Sequence, residues 1–127
     1  MGRSLERHGA RFGLVISSPL VRAVQTAEIV AAATGYRRSI LVTRFLIPDA
    51  DPAAVRELLS QHADVTSVAL VAHEPILSAA CALLMGLAGV PALKKAEAIR
   101  IRLPEGPTEP GHFRWRIDPL SGKRLRR

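Results

Sequence analysis

Hydrophobic positions along the chain fall into short blocks with two distinct periods. Residues 13–18, "GLVISS", are an almost continuous apolar run, the pattern of a strand covered on both faces. Pro19 then turns the chain, and Leu20, Val24, Ala27 and Val30 or Ala31 recur at helical spacing, which predicts a helix over residues 20–34 that Gly35 ends. A second short strand is predicted at "ILVTRF", residues 40–45. In the following "PDADP", Asp51 is placed to cap a helix with Pro52 in its first turn and Val55, Leu58 and Leu59 on its apolar face. "SVALVA", residues 67–72, repeats the buried-strand pattern, and "HEP" turns it into the apolar helix "ILSAACALLMGL", residues 76–87.

Strands alternating with helices at this spacing predict βαβ units and a mostly parallel sheet covered on both faces. From residue 98 the period changes to two. "AIRIRL", residues 98–103, and "HFRWRI", residues 112–117, alternate apolar and basic residues as half-exposed strands do, and the turn-rich "PEGPTEPG" joins them. An antiparallel hairpin at the sheet edge is expected, with Arg100, Arg102, Arg114 and Arg116 on one face, where charge discourages edge-to-edge association. The predicted class is α/β, a three-layer α/β/α arrangement with a mostly parallel sheet and an antiparallel C-terminal hairpin. One domain is expected over residues 1–120, with no internal repeat. Residues 121–127 read as a solvated basic tail carrying Lys123, Arg124, Arg126 and Arg127.

Composition narrows the class of protein. At 127 residues, 48% hydrophobic and 23% charged, the chain suffices for one packed core and is too apolar for disorder. The single cysteine, Cys81, has no partner for a disulfide or a thiolate metal site and reads as a small packed apolar side chain. No stretch approaches the roughly 20 apolar residues of a membrane helix, and "MGRSLERHGA" lacks the apolar centre of a signal peptide. A cytoplasmic protein outside the membrane is therefore expected. The net charge of +7 favours anionic partners. With one Trp and one Tyr to stack on bases, the arginine-rich hairpin is read as protective of the sheet edge rather than as a nucleic-acid surface.

Two residues fall where ligands gather in a parallel sheet, at the carboxyl ends of strands beside helix N-termini. Arg22 lies in the first turn of the helix after "LVISSP", and His73 directly follows "SVALVA". An arginine there opposes the helix dipole, so local stability does not explain it, whereas a bound phosphate would reverse the penalty. Read singly, the arginine could reach into water and the histidine could bond a backbone carbonyl. Their matched placement favours one shared anion site.

With these residues in hand, "ISSPLVRAVQTAEIVA" and "LVAHEP" closely resemble segments of the histidine phosphatase superfamily, in particular the small SixA-type phosphohistidine phosphatases. The resemblance continues through "LIPDADPAAVRELL" and the late hairpin. It implies a phosphoglycerate mutase-like fold and a phosphatase that hydrolyses phosphoryl groups through a phosphohistidine enzyme intermediate. By resemblance Arg22 is a phosphate-clamping arginine, and His73 is the second pocket histidine, hydrogen-bonded to the transferring group. It implies no metal and no organic cofactor. The implied partner is a phosphohistidine-bearing protein or a small phosphorylated substrate.

The triplet Arg7-His8-Gly9 looks like the family's nucleophile motif but is out of place. In the family that motif follows a strand, whereas here it precedes "FGLVISS". About five strand residues at ~3.3 Å separate His8 from Arg22 by roughly 16 Å, too far for one phosphate. Nor are His62 and His112 expected to attack phosphorus. The sequence thus predicts a domain incomplete at its N-terminus, lacking the strand with the catalytic Arg-His-Gly motif, and incomplete or inactive as a phosphatase by itself. Two departures from the family point the same way: Ala72 stands where a glycine precedes the second histidine, and Phe45 replaces an acidic residue. The residue-72 methyl is expected to crowd the phosphate. The alternative is a non-catalytic module of the same fold that binds phosphate or phosphoproteins. Nucleic-acid binding through the arginine-rich hairpin and tail ranks third.

Overall fold

Leu14–Ser17, the middle of the "GLVISS" run, form strand β1, and all four residues are buried. In a computed structural model describing residues 11–93, 98–117 and 124–125, β1 is flanked by β2 (Leu41–Val42) and β3 (Val68–Val71) in the parallel order β2-β1-β3. Ser17 stands beside Val42 on one side and Val71 on the other.

The pleat sends alternate β1 side chains to opposite faces, and both faces are covered. Leu14 and Ile16 join a core with Leu46, Val55, Leu58, Ile76 and Ala80, contributed by the 3₁₀ turn Arg44–Leu46, by α2 (Pro52–Gln61) and by α3 (Ile76–Met85). The other face takes α1 (Val21–Ala33), which packs on β1 and β3 and buries Ala23, Ala27, Val30 and Ala31. The domain is a three-layer α/β/α arrangement.

Local chemistry explains the element ends. Asp51 accepts a hydrogen bond from Ala53 N–H at 2.9 Å and Pro52 opens α2, as the sequence predicts. At the end of α3, Gly86 takes φ of 68°, and the Leu87 N–H reaches back to the Ala82 carbonyl. That is a left-handed helix stop, so α3 ends at Met85 rather than Leu87.

Four expectations need correction. The strand at residues 40–45 shrinks to Leu41–Val42, because the Thr43 hydroxyl captures the Phe45 N–H and starts the 3₁₀ turn. Leu20 lies off the apolar face of α1, since it is the extended residue preceding the first turn. β3 is half-buried rather than buried on both faces: its hydrogen-bonded neighbour is β1, and no strand among the described residues covers its other side. Finally, β4 (Ala98–Arg102) and β5 (His112–Ile117) form the predicted antiparallel pair, but in a sheet separate from β1–β3. A backbone hydrogen bond ties it to the body, from Gly111 N–H to the Leu84 carbonyl at 2.7 Å.

Within that pair, Arg100, Arg102 and Arg114 are exposed and Ile99, Ile101 and Phe113 half-buried, as the alternation predicts. A register shift between Arg100 and Ile101 interrupts the strict period. In the segment read as a tail, Arg124–Leu125 pair with β5 as a short strand, β6, giving backbone partners to Arg116 and Ile117. The triplet Arg7-His8-Gly9 and the tail residues Lys123, Arg126 and Arg127 lie outside the described residues.

Candidate functional site

β1 and β3 run parallel and adjacent, so both chains leave the sheet at the same edge. Backbone bonds hold these exits together: Ser18 N–H donates to the Val71 carbonyl at 3.0 Å, and Thr43 N–H, leaving β2, donates to the Ser17 carbonyl at 2.9 Å. Arg22 follows β1 by one turn of chain and His73 follows β3 by two residues. The sequence expected both at this edge.

A side-chain bond joins the two exits. Ser18 Oγ and His73 Nε2 are 3.1 Å apart, and Ser18 Oγ also accepts from Leu20 N–H at 3.3 Å. Ser18 is wholly buried, and the His73 ring is half-buried. The sequence pattern does not single out Ser18. Its signal was a hydroxyl closing an apolar run, since a buried hydroxyl needs a partner.

The two helix starts at this edge differ. Glu74 accepts from both Ser78 N–H and Ser78 Oγ, so a carboxylate already covers the start of α3. The start of α1 has no side-chain cap and no acidic residue. The first bond of its ladder runs from Val24 N–H to the Leu20 carbonyl, so the N–H groups of Val21, Arg22 and Ala23 precede the ladder. Arg22 is exposed there and makes no hydrogen bond or ion pair with a described residue. Unpaired N–H groups, the positive end of the α1 dipole and a guanidinium attract an anion.

The two departures at residues 45 and 72 take different places. Phe45 is 42% exposed in the 3₁₀ turn beyond β2. Ala72 packs against the core cluster of Leu14, Ile16 and Val55, so its methyl is accommodated within the apolar layer. His62 ends α2, whose chain returns to the start of β3, at the opposite edge of the sheet; His112 is exposed at the start of β5. Neither comes to the site.

A recess of about 410 Å³ opens along α3 beside the start of α2, lined by Pro52, Pro75, Ala79, Leu83 and Leu87 among others. It is mainly apolar and includes neither Arg22 nor His73. Among the described residues, no three His, Cys, Asp or Glu side chains group as metal ligands. No described helix is long and apolar enough to cross a membrane.

No protein-family model and no curated protein matches the sequence. Among solved structures, the protein histidine phosphatase SixA complexed with tungstate matches with a TM-score of 0.86 at 26% identity, over 96% of this chain and 78% of that one. The match spans the α/β/α layers and the late hairpin alike, as the "SSPLVRAVQTAE" and "LVAHEP" segments led one to expect. The chain therefore has a SixA-like fold and is similar to the histidine phosphatase superfamily.

Proposed function

We propose that this chain carries the phosphate-clamping part of a phosphohistidine phosphatase, with Arg22 and His73 donating to the oxygens of the transferring phosphoryl group. The observation that carries this reading is the 3.1 Å contact between Ser18 and His73, which ties the exit bearing His73 to the exit leading to Arg22. The tungstate bound by the SixA neighbour supports it, because tungstate is a tetrahedral oxyanion like phosphate.

A transferring phosphoryl group spreads negative charge over three equatorial oxygens, and fixed donors stabilise that charge more than any covalent device. Arg22 supplies a planar fork of N–H groups, and His73 supplies one ring N–H. By the family's pattern, the histidine of an Arg-His-Gly motif at the end of a strand attacks phosphorus as the P–N bond to the substrate imidazole breaks. Water then breaks the new P–N bond and releases phosphate. Neither His62 nor His112 is placed for that attack. Among the described residues β3 is half-buried and paired on one side, which supports a site completed by a further strand. The substrate is a phosphohistidine-bearing protein or a small phosphorylated compound. A cytoplasmic setting agrees with a single, buried Cys81.

A second reading, a non-catalytic module for phosphate or phosphoproteins, is favoured by one observation: the described residues bring one histidine, His73, to this edge. Two measurements separate the readings. Tungstate titration followed by amide NMR is expected to shift Arg22, Ala23 and His73. Single turnover on a phosphohistidine peptide traps a phosphorylated enzyme histidine only if the chain is catalytic. Trapping supports the first reading alone, and no shift at these residues defeats both.

A further inference from the structure

We infer that Ser18 is a positioning residue that fixes which ring nitrogen of His73 carries the proton, a reading that deepens the proposed site and rests on it. Ser18 Oγ can donate one proton and accept two. It accepts from Leu20 N–H at 3.3 Å, which spends one acceptor position. Its own proton must go to an acceptor, because the side chain is wholly buried. Ser17 Oγ donates to the Ser18 carbonyl, so the nearest backbone oxygen is already engaged. The acceptor within reach is His73 Nε2, at 3.1 Å.

If the hydroxyl donates, Nε2 holds a lone pair and the proton of the neutral ring sits on Nδ1. The opposite arrangement, Nε2–H donating to Ser18, leaves the hydroxyl proton buried without an acceptor, which costs the desolvation of a polar group. The hydroxyl thus turns Nδ1 into the donor, the polarity an oxyanion requires. A lone pair aimed at phosphate would repel it. Ser18 touches no substrate in this account and acts through His73 alone.

The direct test is ¹⁵N–¹H correlation of the His73 ring in the 127-residue chain at a pH where the ring is neutral. The proton is expected on Nδ1, and finding it on Nε2 overturns the inference without any variant. In Ser18→Ala the Nδ1–H form is expected to give way to Nε2–H, with tungstate affinity falling on the order of tenfold, the scale of one hydrogen bond to a charged group. Ser18→Thr, which restores the hydroxyl, is expected to recover both signals. An unchanged tautomer in folded Ser18→Ala also overturns it. Absence of tungstate binding by the parent chain defeats the proposed function while leaving the tautomer measurement to decide this inference.

Discussion

The amide of Gly111 donates to the carbonyl of Leu84 at 2.7 Å, tying the second sheet to the last turn of α3. Gly111 is buried, and a Cβ there would meet Ile101 Cγ2 at 2.9 Å, the Arg102 carbonyl at 3.0 Å and Leu103 Cδ2 closer still. The backbone contact exists because residue 111 has no side chain. Gly111→Ala is expected to destabilise by about 1–3 kcal/mol, the range for forcing atoms into a packed space. Hydrogen exchange should accelerate first in β4 and β5, while β1 keeps its protection. Uniform loss of protection would mean that the second sheet does not open separately.

Helix stops and starts give a cleaner measure of local energetics. Gly86 ends α3 at φ of 68°, a conformation that costs an L side chain roughly 1–2 kcal/mol. Asp51 satisfies Ala53 N–H at the start of α2, a cap whose removal costs about 1 kcal/mol. Gly86→Ala and Asp51→Ala are both expected to lower the urea midpoint by amounts of this order.

Local signals were legible in the sequence and non-local ones were not. Asp51 followed by Pro52 announces a helix start within a few residues, and "GLVISS" announces a strand buried on both faces. The shortening of β2 depends on the Thr43 hydroxyl competing for the Phe45 N–H, which no periodicity records. The half-burial of β3 depends on what lies beside it, so the same apolar run reads as fully covered. At the site, the placement of Arg22 and His73 followed from strand and helix order. Ser18 and His73 are 55 residues apart, and their bond appears only when β1 and β3 pair.

Residue 72 offers a test of the family departure. The sequence expectation was that the Ala72 methyl crowds a bound phosphate, yet the methyl packs against the core. Ala72→Gly is therefore expected to leave tungstate affinity unchanged and to cost stability, by about 0.5–1 kcal/mol from backbone freedom. A gain in affinity of severalfold would reinstate the crowding argument.

Arg22 should separate binding from stability with opposite signs. It sits in the first turn of α1, where its charge opposes the positive end of the helix dipole, and no described acid offsets it. Without ligand, Arg22→Ala is expected to raise stability slightly, by about 0.3–1 kcal/mol at low salt, an effect that shrinks as salt is added. With tungstate present, the same change is expected to weaken binding by about 2 kcal/mol, the scale of a charge-assisted contact. Arg22→Lys should keep the dipole penalty but lose the two-pronged geometry, giving intermediate affinity. Thermal unfolding with and without tungstate measures both quantities in one experiment. An Arg22→Ala protein that is less stable without ligand, yet binds as tightly as the parent, would make Arg22 a structural residue and remove it from the site.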